Sequence, residues 1–263
     1  MINLKQIDEA LTDYVRPQTF PLAIRMCESD KELPDKTKIP QKDLGTTVSL
    51  CHAIHMARRY GWAIAVDKFQ SCYIAGISMG FLPLLPDVVD GSFQESLGLW
   101  GMSKEQAAAA IQNIPKFEYG KYKNVLIAPL HRAAFEPHLI LVYGNPAQIW
   151  ILLAGYLNGT GKTGLDTTLS IGAGCTTCIT RTIEEDDCQF TLISLGERLI
   201  PHTQDYECAL SIPMSKIDKT IQGLETGHKL GVFRYPIPTF LRYNSPHPPG
   251  YDEMRSHLLG EES

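Results

Sequence analysis

The chain has 263 residues, 44% hydrophobic and 20% charged, enough apolar content to bury a substantial core, so extended disorder is excluded except locally. Lys plus Arg number 24 against 29 Asp plus Glu, a formal net charge of −5, which excludes the basic excess of a fold-wide nucleic-acid binder. The longest apolar run, Ile149 to Leu157, falls short of the roughly 20 residues that cross a bilayer, and the N-terminal residues lack the apolar segment of a signal peptide. A soluble cytoplasmic protein is therefore expected, with neither membrane nor nucleic acid as a partner.

Leu4, Ile7, Leu11 and Val15 recur at helical spacing, which predicts an amphipathic helix over residues 3–15, closed before Pro17. Pro21–Cys27 reads as a strand, and the charged stretch 28–43, with Pro34 and Pro40, as a solvated loop. Thr46 or Thr47 can cap a helix that runs through Cys51, His52, His55, Arg58 and Arg59 to Gly61. Trp62–Val66 is strand-like, whereas 71–85 is apolar with no clean period. Ser103 and Gln106 form a capping box opening an Ala-rich helix to about Asn113.

Val125–Arg132 and Leu139–Tyr143 read as strands, and Asn145-Pro146 starts a strong helix to Asn158. The glycine-rich run 159–174 contains Gly159-Thr160-Gly161-Lys162-Thr163, but a phosphate loop needs glycine six residues before the Lys, where Tyr156 stands. Thr168–Ile171 can supply a short strand before the Cys175-Thr176-Thr177-Cys178 motif. Gln189–Ser194 and Glu207–Ile212 are further strands, and Pro213 and Ser215 open a long helix to about Leu230. Several strands are adjacent in sequence, so the predicted class is α+β, with a mixed, mainly antiparallel sheet packed with helices. A single large domain over residues 1–232 would carry a Pro-rich C-terminal arm over 233–263.

The seven cysteines are an odd count in a chain expected to face a reducing compartment, which argues against a disulfide framework. Cys27, Cys188 and Cys208 sit in strand-like runs and read as small buried hydrophobes. Cys51 lies at a helix start, where amide donors favour a thiolate, and Cys72 in a turn of small residues. Cys175 and Cys178 form a CxxC, which suits a dithiol pair, half of a metal site, or chance. Four thiolates from three separated segments fit an iron–sulfur cluster or a tetrahedral zinc site, and zinc has His55 as a further ligand four residues after Cys51. Structural or free thiols are the competing account of the same four residues. His52 and His55 otherwise read as helix-surface histidines, and Arg58-Arg59 as a charge complement to a helix C-terminus. His131, Glu136, Glu197 and Arg198 stand at strand ends, where they read as pocket residues or as surface ion pairs.

Taken together, Pro21-Leu22-Ala23-Ile24, Cys51 before Ala57-Arg58, Cys72 with its small-residue run to Gly80, Gly120-Lys121-Tyr122 and Ala128-Pro129-Leu130 carry a pattern. It continues through Phe135-Glu136-Pro137, Gly144-Asn145-Pro146-Ala147-Gln148, Cys175, Gly196-Glu197-Arg198, Glu207, Ile212-Pro213 and Gly223-Leu224-Glu225. This pattern resembles the domain-of-unknown-function 169 family, found largely in anaerobic bacteria and archaea, for which no reaction is established. The resemblance covers about Pro21 to Glu225 and implies that Cys51, Cys72 and Cys175 match family cysteines. A further family cysteine falls about where Ser194 stands here. Cys178 then replaces it, or three cysteines leave one iron open, or no cluster binds.

Spacing and resemblance lead to one main expectation, an iron–sulfur protein of anaerobic metabolism. Its 4Fe–4S cluster would sit on Cys51, Cys72 and Cys175, with Cys178 as fourth ligand, for electron transfer or for Lewis-acid or reductive chemistry on a small molecule. Its partner would be a small-molecule substrate or a redox protein, and His131, Glu136 and Arg198 would orient a substrate. The alternative is a cofactor-free small-molecule-binding or hydrolytic protein with a strand-end pocket and structural cysteines. A zinc protein using Cys51, His55, Cys175 and Cys178 is a third reading. The apolar helix after Pro146 is compatible with homo-oligomerisation, although it reads more readily as core.

Overall fold

The computed structural model describes residues 3–167, 169, 172–237, 247–248 and 250–260. Most of the strand expected at 168–171 and part of the Pro-rich arm lie outside these residues.

Among the described residues, six strands form one sheet: β1 (Leu22–Cys27), β2 (Ile64–Val66), β3 (Asn124–Pro129), β4 (Leu139–Gly144), β5 (Gln189–Leu192) and β6 (Cys208–Pro213). Their order is β2-β3-β1-β4-β6-β5, and every pairing between neighbours is antiparallel. Register runs Leu22↔Pro129 to Cys27↔Asn124 between β1 and β3, and Leu139↔Pro213 to Gly144↔Cys208 between β4 and β6.

Strand pleating sends alternate side chains to opposite faces, and both faces are covered here. Leu22, Ile24 and Met26 of β1, with Leu139, Leu141 and Tyr143 of β4, enter one core; Ala23, Ile140 and Val142 enter the other. The result is an α+β architecture of three layers. Antiparallel sheets commonly leave one face to water and then alternate apolar with polar residues. Burial on both faces explains why these strands read as continuous apolar runs.

One outer layer consists of the helices Leu4–Tyr14, Pro146–Thr160 and Met214–Lys229. Asn3 and Asn145 cap the first two through reciprocal bonds with Gln6 and Gln148. The helices Pro146–Thr160 and Met214–Lys229 approach so closely that a Cβ on Gly159 would lie 1.8 Å from the Lys219 carbonyl, and one on Gly223 2.0 Å from the Gly155 carbonyl. The glycines that suggested a phosphate loop therefore include a helix-packing residue: Gly159 lies inside the helix and Gly161 ends it.

The opposite layer carries the helices Leu50–Tyr60 and Tyr73–Ser78 and a π-helix, Ala173–Arg181. Ser49, not Thr46 or Thr47, caps the helix that holds Cys51. The strand expected to reach Arg132 ends at Pro129 and continues as a 3-10 turn, Leu130–Arg132. Short helices Pro86–Val89 and Ser92–Ser96, a turn at Leu99–Gly101 and the helix Lys104–Asn113 cover the end of this layer. A last helix, Tyr251–Leu259, leaves Tyr251, Met254, Leu258 and Leu259 exposed. Among the described residues no helix is long and apolar enough to cross a membrane.

Candidate functional site: a cavity lined by three cysteines

Cys51, Cys72 and Cys175, from three separate segments, line one cavity, and Ser194 and Glu197 line it with them. Cys51 sits in the first turn of its helix, where unpaired amides point outward. The Ser49 hydroxyl accepts from the His52 amide at 3.2 Å and lies 3.1 Å from Cys51 Sγ. Cys72 precedes the helix Tyr73–Ser78, and the Gln70 side chain clamps it by accepting from its amide at 2.9 Å and donating to its carbonyl.

Cys175 lies on the π-helix, one residue after Gly174, whose amide donates to Glu197 Oε2 at 3.2 Å. A Cβ on Gly174 would stand 2.4 Å from the Tyr143 hydroxyl and 2.5 Å from Glu197 Oε1, so glycine permits this approach. Burial pushes the Cys51 thiol up to about 11 and the Cys175 thiol well above the ordinary range. The neighbouring cysteine sulfurs add to the rise, which places all three within electrostatic reach of one another.

Cys178 is not brought to this cavity. It is fully buried with its thiol directed to Ser211 on β6, and burial raises its pKa far above the ordinary range. The physical reason is the π turn. Its i→i+5 hydrogen bonds widen each turn, so a residue three further on swings round the axis instead of sharing the α-helical face. The expected ligand set thus divides, with three members at the cavity and Cys178 against the sheet. Ser194, where the family pattern places a cysteine, is at the cavity.

Ser194 caps the short helix Leu195–Leu199, and Glu197 closes the cap. Glu197 is buried. Its carboxylate accepts from the Tyr143 hydroxyl at 2.7 Å, the Gly174 amide at 3.2 Å, the Ser194 amide at 3.2 Å and the Ser194 hydroxyl at 3.1 Å. Four donors therefore hold one carboxylate, and through it the Ser194 side chain.

Behind the cavity wall lies a second polar layer. Arg58, expected on a helix surface, is fully buried in a two-pronged pair with Glu207 at 2.6 and 2.8 Å, and its guanidinium lies 4.3 Å from the Tyr143 ring centroid. Burial raises the Glu207 carboxyl, but hydrogen bonds and charge from Arg58 outweigh it and leave the group below its usual range. His55 is also buried rather than surface. Nδ1 lies 2.8 Å from the Cys51 carbonyl and Nε2 2.6 Å from the Thr203 hydroxyl. Both ring nitrogens are engaged, which leaves neither for the zinc set considered above. Among the described residues, no group of three or more His, Cys, Asp or Glu is arranged to hold a single metal ion.

The residues expected to orient a substrate are not at the cavity. His131 is exposed, packs on Phe20 with centroids 4.9 Å apart, and lines a separate open groove with Asp8 and Arg59. Glu136 is exposed, and its backbone carbonyl accepts from Arg25. Arg198 is exposed and pairs with Asp205. Strand ends drew attention to these three and to Glu197, and of the four only Glu197 lines the cavity. Gln94, Tyr73 and Trp100 line it without any sequence motif that marked them, except the glycines flanking Trp100.

The fold and this site define an α+β protein with a cysteine-lined, mostly apolar cavity beside a buried polar layer. The DUF169 family, described as uncharacterised ArCR, matches residues 10–223, and the chain belongs to that family. No curated protein and no solved structure matches the chain.

Proposed function

We propose that the chain binds an iron–sulfur cluster through Cys51, Cys72 and Cys175 and uses it on a small molecule in the cavity, by electron transfer or by Lewis-acid or reductive chemistry. The observation that carries this reading is the convergence of three thiols, distant in sequence, on one cavity. The donor set fits the group. A single tetrahedral ion with bonds of about 2.3 Å needs its sulfurs close together, whereas cysteines of a cuboidal cluster each take a different iron and stand further apart. Three thiols on one cavity, within electrostatic reach of one another, supply donors of the kind such a cluster takes.

When bound, the cluster supplies an electron or a Lewis-acidic iron. The chain's own groups do the rest. Ser49 places a hydroxyl beside Cys51 Sγ, and Gln70 fixes the Cys72 backbone. Glu197 holds Ser194, leaving the fourth direction to the Ser194 oxygen or to a molecule entering from the cavity. Because burial keeps the Cys51 and Cys175 thiols protonated, loading releases protons and weakens as pH falls.

Iron and acid-labile sulfide, measured with a visible spectrum on protein purified without air, test the proposal. About four of each per chain and a broad absorption band are expected. Cys72→Ser should lose the band and most of the iron, whereas Cys178→Ser should keep both. Colourless, iron-free wild-type protein would overturn the cluster. That result would favour the second reading, a cofactor-free small-molecule site, for which the apolar wall of Ile74, Leu99, Met102 and Ile111 speaks.

A further inference from the structure

The cavity is small and its charge is one-sided. Its volume is about 110 Å³. Drug-sized ligands occupy sites of roughly 300–1,000 Å³, and an apolar cavity of about 150 Å³ holds benzene, so what fits here is smaller than one aromatic ring. Ile74, Met102, Ala107 and Ile111 give the wall its apolar character, and Cys51 and Cys175 line the space while themselves buried. Trp100, Leu195 and Ile200 also line it and are about half exposed, so it opens to solvent on their side.

Of the described lining residues, Glu197 alone is charged. The Tyr143 hydroxyl, the Gly174 amide and the amide and hydroxyl of Ser194 hold its carboxylate, and these neutral donors orient the charge without cancelling it. Arg58 stands behind the wall against the Tyr143 ring, and Glu207 already matches its charge through a two-pronged pair. An anion entering the cavity would therefore face a carboxylate with no cation to offset it. An uncharged molecule of the same size meets no such cost.

We propose that the cavity selects a small uncharged molecule, smaller than an aromatic ring, and that Glu197 rejects anions of the same size. This rests on the cavity being the working site, as proposed above, but not on the cluster being present. The test is an NMR titration of the full chain, purified without air and labelled at the methionine methyls. Met102 lines the cavity and reports on it, and the exposed Met254 serves as control. Acetone should shift the Met102 methyl saturably and leave Met254 unmoved. Acetate, nearly the same shape but charged, should bind at least about tenfold more weakly, and cyclohexanone more weakly than acetone.

Glu197→Gln, which keeps the shape and removes the charge, should recover most of that tenfold for acetate. Ala110→Phe, which fills the space from its wall, should abolish the Met102 response to acetone. The proposal is overturned by any of five results: no acetone response at Met102, acetate as tight as acetone, cyclohexanone tighter than acetone, an unchanged acetate gap in folded Glu197→Gln, or a response that survives Ala110→Phe. Should Glu197→Gln fail to fold, the wild-type comparison and Ala110→Phe decide. Iron is assayed on the same sample. Iron-free protein with the expected selectivity overturns the cluster and upholds the ligand class. Iron-loaded protein without that selectivity does the reverse.

Discussion

His55 lies on the helix that supplies Cys51, and burial sets its chemistry. The Cys51 carbonyl can only accept, so Nδ1 carries the proton, and Nε2 accepts from the Thr203 hydroxyl. Burial, then the charge of Arg58, pushes its pKa down to about 2 from the ordinary 6.5. A depressed pKa means that the unfolded chain takes up the proton first. Stability from the neutral ring is complete above pH 6.5 and is lost as pH falls towards 2. Thermal unfolding followed from pH 7 to 4 should show His55→Gln declining less steeply than the wild type, by about 1.4 kcal/mol per pH unit below the ordinary value. Parallel declines would refute the assignment. In the sequence His55 had only its i, i+4 spacing from Cys51, which identifies a shared helical face but not whether that face meets water or a wall.

Helix starts were the most legible elements. Ser103 precedes a Gln three residues on and forms the reciprocal cap expected of that spacing, because the pattern is complete within four residues; Asn3 and Asn145 form the same cap with Gln6 and Gln148. The π-helix was not legible. Its extra residue per turn is stabilised by packing against β5 and β6 rather than by any local signal, and it decides that Cys175 and Cys178 face different ways. Helix pairing gives a direct test. Gly159→Ala should destabilise the protein by about 1–3 kcal/mol, since its Cβ meets backbone and the two helices must part. Gly164→Ala, with open space around it, should change stability by less than about 0.5 kcal/mol. Chemical denaturation of both variants checks this, and equal stabilities would contradict the close packing.

Over the whole molecule, burial raises thiol pKa values on both sides of the sheet. Cys27, Cys51 and Cys208 are each pushed up to about 11 from an ordinary 9.0. A raised pKa contributes stability that is fully present below pH 9 and lost as pH climbs towards 11, because the unfolded chain ionises first. Melting temperatures of metal-free protein should fall over that interval. Cys27→Ala with Cys208→Ala, neither of which lines the cavity, should make the fall shallower; an unchanged slope would show that these thiols are not the cause.

The strands with their continuous apolar runs, the Ser103 cap, and the placing of Cys27, Cys188 and Cys208 as buried small residues could all be read from the chain, because each depends on neighbours a few residues away or on composition. The α+β class followed from the succession of strands. Which cysteines share a cavity depended on how β1, β3, β4 and β6 pair, on the layer in which Leu50–Tyr60 and Ala173–Arg181 lie, and on one widened helical turn. The same packing drew Arg58 to Glu207 and Gln94 to the cavity, and left His131, Glu136 and Arg198 outside it. Residues 51, 72, 175 and 194 are far apart along the chain, so their meeting is a property of the assembled layers and carries no local trace.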